Sequence, residues 1–193
     1  NEITKLPDGT TFKSNKDGDL YGYTTDIYNA TILSAVGQSA GVFFGYETDG
    51  VYATAADVPT VNGEPLSTQD VNTGVKTAFA AGDVKFIDQN GDNIINLQDR
   101  VIIGNPNPDL YGNISSSLTY KNFTLSATLN YSLGNDVYNY QRSLLESGSS
   151  FYNQTTAVTN RWQAEGDVTD MPRAMYGDPK GNNRFSDRWI EDG

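Results

Sequence analysis

The chain has 193 residues, enough for one domain with a core, and carries a formal net charge of −11 at pH 7. So acidic a chain lacks the basic patches by which proteins hold nucleic acid, and we expect no nucleic-acid partner. It contains no His and no Cys, which excludes the usual triad base and thiol chemistry. With 37 % hydrophobic residues, 19 Gly and 12 Tyr, the composition suits β-structure with long polar loops.

The first eighty residues contain only short predicted elements. We expect short strands at residues 10–13 and 19–24, whereas the pattern of residues 26–36 fits a helix and a strand equally well. The Gly-rich, aromatic segment 37–50 predicts a loop with close backbone packing. A single helical turn is expected at residues 67–71, within an otherwise linker-like stretch.

A cation-loop pattern lies at residues 88–99. Oxygen-bearing side chains fall at positions 1, 3, 5, 9 and 12 of this 12-residue loop, and position 7 offers its backbone carbonyl. An EF-hand loop wraps oxygens around calcium with this spacing, so calcium is the candidate cofactor. The candidate metal ligands are Asp88, Asn90, Asp92, Ile94, Asn96 and Asp99.

Two positions of the loop depart from the EF-hand pattern. Position 6 is Asn93 instead of Gly, although Asn tolerates the left-handed backbone. Position 12 is Asp99, whose side chain is shorter than the usual Glu. Both departures predict a weak site, and the alternative is an Asx-rich turn without an ion. We expect five apolar neighbours to pack beneath the loop: Phe86, Ile87, Ile94, Ile95 and Leu97.

The clearest secondary-structure signal is a hairpin at residues 110–133, with Lys121 and Asn122 as its turn. Apolar and uncharged polar residues alternate along both predicted strands. One face carries Leu110, Gly112, Ile114, Ser116, Leu118 and Tyr120, continued by Phe123, Leu125, Ala127, Leu129, Tyr131 and Leu133. The other carries Tyr111, Asn113, Ser115, Ser117 and Thr119, continued by Thr124, Ser126, Thr128, Asn130 and Ser132.

Two details of the hairpin favour a membrane over a soluble β-sandwich. Lys121 is its one charged residue, whereas the chain-wide share of 19 % predicts about four or five in 24 positions. Each strand has eleven residues, which matches the ~9–11 that a tilted strand needs to cross a bilayer. After the hairpin, short helices are predicted at residues 137–146 and 155–164, followed by loop.

Several segments, in the same order, resemble one family of membrane proteins. They include GDVKFIDQNGD at residues 82–92, DRVIIGNPNP at residues 99–108 and FFGYETDGVY at residues 43–52. Further matches are GNDVYN at residues 134–139, NRW at residues 160–162 and SDRWIEDG at residues 186–193. The series is similar to the C-terminal part of SusC/RagA-type TonB-dependent outer-membrane transporters, which are nutrient-uptake barrels.

The resemblance implies an all-β fold: a fragment of a transmembrane β-barrel with one long hairpin and long extracellular loops that carry short helices. Residues 1–109 would form one extracellular loop region, residues 110–133 the membrane-spanning hairpin, and residues 134–193 a second extracellular loop region. The implied partners are a SusD-like surface lipoprotein, a glycan or peptide nutrient and outer-membrane lipid. TonB would be contacted through a part of the protein outside these residues.

A soluble binding module and a glycan-active enzyme are the two alternative classes of function. A soluble calcium-dependent binding module, of β-sandwich or EF-hand/dockerin-like type, would need a helix after the Asp loop and, in a dockerin, a second loop. Here Asp99 is followed by a β-branched run that Gly104 and Pro106 interrupt, and no second loop occurs. A glycan-active enzyme would need a recognisable catalytic set, and the sequence shows none. We therefore predict a transport protein rather than an enzyme.

Overall fold

A five-stranded antiparallel sheet forms the N-terminal part of the structure, a computed structural model that describes residues 2–14 and 16–193. Four of its strands follow one another in the chain, and the fifth comes from the segment after the Asp loop. In spatial order the strands are Thr10–Phe12, Leu20–Ile27, Ala30–Ala35, Val42–Gly45 and Val101–Gly104. Tyr28 and Asn29 join the second strand to the third with left-handed backbones, φ 50° and 67°. The undecided segment 26–36 is therefore a hairpin turn and a strand.

Smaller pairings complete the fold. Thr48–Val51 pairs with Val84–Phe86, and Ser67–Gln69 lies between Lys76–Ala78 and Ile94–Ile95. Two further pairs join Thr60–Val61 to Glu64–Pro65 and Asp136–Tyr138 to Ile190–Asp192. The long hairpin consists of Leu110–Tyr120 and Phe123–Leu133.

Within residues 2–14 and 16–193, helical structure is confined to short segments. The α-helix is Tyr140–Leu145, and the 3₁₀ turns are Ala55–Asp57, Leu97–Asp99, Thr156–Asn160 and Asp187–Trp189. None of the helices in the described part of the chain has the length and apolar content that crossing a membrane requires.

The structure corrects three local expectations. Segment 37–50 is not a loop but holds the strands Val42–Gly45 and Thr48–Val51, and segment 67–71 begins with the strand Ser67–Gln69 instead of a helical turn. The helix expected at 155–164 is the 3₁₀ turn Thr156–Asn160. Each of these three strands pairs with a strand at least about 25 residues away in the chain. Tertiary pairing therefore outweighs the local preference of Gly and polar residues for loops.

Three clusters of buried side chains hold the body together. The first cluster lies under the Asp loop, and the second lies on one face of the five-stranded sheet. The third joins the sheet to the C-terminal segment through Phe43 and Phe185, whose ring centroids are 6.0 Å apart. Trp189, in the same C-terminal segment, is almost fully buried. The first cluster comprises Tyr46, Tyr52, Val58, Leu66, Phe79, Val84, Phe86 and Ile95, and the second Leu20, Leu33, Ala35, Val42 and Phe44.

A buried carboxylate connects the segments on either side of the hairpin. Asp83 is fully buried and accepts two hydrogen bonds of 2.9 Å from the guanidinium of Arg173. It also accepts from the side-chain amide of Asn182 at 3.1 Å and from the backbone N–H of Ala80 at 2.9 Å. Beside it, Gly82 has a left-handed φ of 84°, and a Cβ there would meet the ring of Trp162 at 2.5 Å. Residues 80–84 are therefore fixed against residues 162–182.

We predict that Asp83→Ala loosens this body. Removing one partner of a buried, hydrogen-bonded ion pair leaves Arg173 uncompensated and costs about 3–5 kcal/mol. Since Arg173 keeps some contact with solvent, the lower end of that range is expected. Amide hydrogen exchange of residues 48–51 and 84–86, measured in the whole receptor that contains this chain, should speed up by about a hundredfold.

The matched control is Lys16→Ala. Lys16 forms an exposed ion pair with Glu47, and such pairs contribute about 0–1 kcal/mol. Exchange in the same strands should stay close to that of the wild type. Equal protection in the Asp83 variant and the wild type would show that the pair does not hold the two segments.

Candidate functional site

The long hairpin has the two faces that its sequence predicts. Its strands pair in an unbroken register from Leu110 opposite Leu133 to Tyr120 opposite Phe123. Residues opposite each other therefore always belong to the same face. On the apolar face Ile114 lies opposite Leu129 and Leu118 opposite Leu125. Gly112 lies opposite Tyr131, whose hydroxyl would be 2.6 Å from a Cβ at that position, so the tyrosine side chain covers the glycine.

The opposite face is a ladder of uncharged polar side chains. Three cross-strand pairs bring hydroxyl groups to hydrogen-bonding distance: Ser115 and Thr128 at 3.1 Å, Ser117 and Ser126 at 3.2 Å, and Thr119 and Thr124 at 3.2 Å. Each hydroxyl pair satisfies part of its own hydrogen-bonding capacity without a charge. A face of this kind can border water or polar protein without attracting ions.

Neither the faces nor the outer edges of the hairpin are covered by the described residues. Its apolar side chains remain mostly exposed, from Leu110 to Leu133. Among the strands of residues 2–14 and 16–193, each hairpin strand pairs only with the other, so both outer edges are open. An exposed apolar face with open strand edges is unstable in water, because it aggregates. The hairpin therefore needs neighbours that the described residues do not supply.

Side-chain oxygens close the Asp loop onto its own backbone. The Asp88 carboxylate accepts from the N–H of Gly91 and of Asn93, both at 2.7 Å. Asp92 accepts from the N–H of Ile94 at 2.8 Å. Gly91 and Asn93, at positions 4 and 6, have left-handed φ values of 73° and 64°. Asn93 thus adopts the conformation for which an EF-hand uses Gly.

The last two candidate ligands form a small turn at the end of the loop. Asn96 accepts from the N–H of Gln98 at 2.8 Å, and the Asp99 carboxylate accepts from the N–H groups of Asn96 at 2.8 Å and Gln89 at 3.0 Å. Asp99 is fully buried, and this burial raises its pKa to about 6 against the opposing effect of the two backbone hydrogen bonds. The charges of Asp88 and Asp92 are smaller contributions to the same raised pKa.

The structure thus brings the six candidate ligands into one compact loop, with their oxygens turned largely to backbone N–H groups. The carbonyl of Ile94 faces the Asn96 amide at 3.4 Å, and Asn90 donates to Asp92 at 3.1 Å. Within residues 2–14 and 16–193, no group of three or more His, Cys, Asp or Glu side chains is arranged to hold a metal ion.

The apolar support of the loop is smaller than predicted. Phe86 and Ile95 are buried beneath it and Ile94 is partly buried, but Ile87 and Leu97 are exposed. Short strands position both ends of the loop, so only alternate side chains point inward. After Asp99 the chain continues as the strand Val101–Gly104, so no helix follows the loop as an EF-hand or dockerin requires.

No motif in the sequence points to a binding site in the loops around Tyr152 and Asn183. In the structure these loops enclose two cavities and carry highly exposed aromatic rings. The one available signal was the presence of Phe151 and Tyr152 directly after a Ser- and Gly-rich stretch, where a core role is implausible.

Curated relatives and a solved structure resemble this chain over most of its length. No family model matches the chain. It is 32 % identical over 199 residues to TonB-dependent receptor P3 of Formosa agariphila, a match that covers 100 % of this chain and 17 % of the relative. TonB-dependent receptor SusC of Bacteroides thetaiotaomicron is 31 % identical over 143 residues, which are 72 % of this chain and 11 % of the relative. The chain thus spans about a sixth or less of the length of these curated relatives.

A solved structure shares the fold. A chain of the RagAB peptide importer in its closed-closed state matches with a TM-score of 0.54 and 18 % sequence identity. The match covers 99 % of this chain and 18 % of that chain. The predominance of strands and the open edges of the hairpin therefore agree with an all-β fold that forms part of a larger, closed sheet.

Proposed function

Because this chain belongs to the SusC/RagA type of TonB-dependent receptors, we propose that it forms part of an outer-membrane transporter that imports nutrients together with a SusD-like surface lipoprotein. TonB would act through a part of the receptor outside these residues. TonB-dependent receptors transport and do not catalyse, which agrees with the missing catalytic set. The nutrient that we propose is a glycan. A peptide is the alternative, because the structurally similar RagAB is a peptide importer.

The two-faced hairpin is the observation that carries this proposal. Its strands of eleven residues match the length of a tilted membrane-crossing strand, and its apolar face stays uncovered by the described residues. In a barrel wall, neighbouring strands would satisfy the two open edges and lipid would cover the apolar face. Ser, Thr and Asn on the other face suit a lumen or a polar plug.

Orientation follows from the lengths of the connections. Outer-membrane barrels have short periplasmic turns and long extracellular loops. The two-residue turn at Lys121 and Asn122 would therefore face the periplasm. Residues 1–109 and 134–193, which flank the other end of the hairpin, would lie outside the cell, with residues 110–133 in the membrane. A soluble binding module is less well supported, because water would have to meet both the apolar face and the open edges.

Loss of the receptor that contains this chain should abolish growth on one complex nutrient. Extracellular degradation of that nutrient should continue, because the defect lies in uptake. Growth on a panel of polysaccharides and on protein, compared between deletion and complemented strains, measures this. A purified receptor that hydrolysed glycans at ordinary enzyme rates would contradict the proposal.

The two faces of the hairpin should respond differently to a charge. Leu125→Arg should cost up to about 2–4 kcal/mol of folding free energy, depending on depth, because the guanidinium would enter lipid. Ser126→Arg, one residue further along, should cost much less because Ser126 would face the lumen. Folding of both variants into bilayers, followed by the heat-dependent shift in electrophoretic mobility, compares them. Equal tolerance of the two substitutions would contradict the spanning assignment.

For residues 88–99 we propose calcium binding with a structural role. The backbone of the loop already has the left-handed residues at positions 4 and 6, and three carboxylates lie within twelve residues. A bound cation would offset the mutual repulsion of those carboxylates and pin the loop at the start of the strand Leu110–Tyr120. The ligands would be the oxygens of Asp88, Asn90, Asp92, Asn96 and Asp99 and the carbonyl of Ile94, and the side-chain oxygens would have to turn from the backbone N–H groups that they now accept from.

Calcium should bind this loop weakly, at about 10⁻⁴–10⁻³ M, as in extracellular modules. Millimolar calcium should then protect residues 82–104 from protease in the whole receptor, and Asp88→Ala should remove the protection. The control is Asp70→Ala, which removes a similar cap on the N–H groups of Asn72 and Thr73 outside the loop. If calcium changes neither calorimetric heat nor proteolysis, the loop is an ordinary Asx-rich turn.

A further inference from the structure

Two cavities lie between the C-terminal loops of the body. One, of about 230 Å³, lies between Ser143 and Leu144 of the helix Tyr140–Leu145, the loop at residues 147–152 and the segment around Asn183. The other, of about 330 Å³, lies between the same loop and the segment at residues 174–176. They share Ser149, Ser150 and Tyr152 as lining residues. Together they reach the size of small-molecule sites, roughly 300–1,000 Å³.

The lining of both cavities is uncharged. None of the described residues that line them is an Asp, Glu, Lys or Arg, although 19 % of the chain is charged. A peptide brings charged termini and often charged side chains, and an acidic sugar brings carboxylate or sulfate groups. Each of those charges needs an opposite charge or a metal when it leaves water. These two cavities therefore favour a neutral ligand, whereas the adjoining cavity of about 770 Å³ is lined in part by Asp26, Asp178 and Arg184.

An unsatisfied amide oxygen lies at the inner cavity. Asn183 lines the cavity of about 230 Å³, and its Oδ1 atom is buried without a hydrogen-bond partner among the described residues. Its backbone N–H is held by the carboxylate of Asp178 at 2.9 Å, so the residue is fixed in place. A buried acceptor of this kind costs free energy unless a donor reaches it. A ligand hydroxyl becomes such a donor when the side chain of Asn183 turns its Oδ1 toward the cavity that the residue lines.

Exposed aromatic rings border the outer cavity. Phe151 is 94 % exposed, Tyr152 is 81 % exposed and Tyr176 is 78 % exposed. The rings of Phe151 and Tyr176 stack with centroids 5.3 Å apart and an interplanar angle of 30°. Aromatic rings that are exposed to solvent and stacked on each other present flat apolar surfaces to which a partner can bind.

We propose that these two cavities form a subsite for an uncharged saccharide. The apolar faces of the sugar rings would pack on Tyr152 and on the stacked pair of Phe151 and Tyr176. Sugar hydroxyls would donate to Asn183 Oδ1 and bond the serines of residues 147–150. The inference rests on the proposed import of glycans, and it adds the residues of contact and the exclusion of acidic sugars and peptides.

Binding to the purified whole receptor tests the subsite. The probes are neutral hexasaccharides of glucose, mannose and xylose, the hexamer of galacturonic acid, and a hexapeptide of mixed sequence, each measured by calorimetry. At least one neutral hexasaccharide should bind at least about tenfold more tightly than the acidic hexamer and the peptide. Tyr152→Ala and Asn183→Ala should each weaken its binding by at least about tenfold.

Two matched variants separate binding from folding. Tyr152→Phe keeps the ring and should keep the affinity. Asn153→Ala removes an exposed amide that lines neither cavity and should bind as the wild type does. Protease resistance of all four variants should match that of the wild type.

Three results would overturn the subsite: tighter binding of the acidic hexamer or the peptide, no binding of any neutral hexasaccharide, or wild-type affinity in both Tyr152→Ala and Asn183→Ala. The last result leaves the import of glycans standing if the receptor still supports growth on a neutral polysaccharide. If deletion of the receptor leaves growth unchanged on every nutrient, it is the proposed function that fails.

Discussion

The structure depends on one constraint: an antiparallel hairpin returns the chain to the place where it began. Leu110 lies opposite Leu133, so the segments before and after the hairpin must share the same end. The backbone joins them there, since Asp109 N–H donates to Leu133 at 3.0 Å and Asp136 N–H donates to Asn105 at 2.8 Å. The buried Asp83 carboxylate, held by Arg173 and Asn182, extends this junction into the body. Two segments 90 residues apart thereby become one folded unit.

This arrangement makes the molecule strongly asymmetric along the hairpin axis. One end carries a two-residue turn, and the other carries every other sheet of the described chain. The body satisfies its own backbone through short pairings and buried clusters, whereas the hairpin satisfies only its inner edge. The same chain therefore contains a part that can be stable in water and a part that requires lipid and neighbouring strands.

The parts that were predictable from the sequence are those whose signal is local. The hairpin was predicted to the residue, because apolar and polar positions alternate over 24 residues with a turn between them. The Asp loop was also predictable, because its contacts are local. The carboxylate of Asp88 accepts from the N–H groups of residues three and five positions later. The strand Val42–Gly45 was missed, because the Gly content of its segment suggested a loop and one of its two partners, Val101–Gly104, lies more than fifty residues away.

The components of the buried junction and of the candidate binding region were hidden for the same reason. Asp83 stands in an ordinary Ala-Gly-Asp turn, and nothing nearby indicates that Arg173 and Asn182 will surround it. The cavities near Tyr152 arise only when three loops meet. No repeating pattern in the sequence indicates that these loops come together, and Ser-rich loops with aromatic residues occur in many contexts.

Many of the acidic residues behind the net charge of −11 accept hydrogen bonds from backbone N–H groups in the loops. Long irregular segments leave backbone N–H groups without strand partners, and carboxylates satisfy many of them. Asp57 caps Thr54, Asp167 caps Gln163 and Ala164, and Asp178 caps Asn182 and Asn183. These acidic residues thus fix the loops in place, and none of them lines the two cavities near Tyr152. Their summed field nevertheless acts on whatever approaches, and it repels anions. An uncharged cavity inside an acidic body therefore selects against acidic ligands twice, first during approach and again at the site.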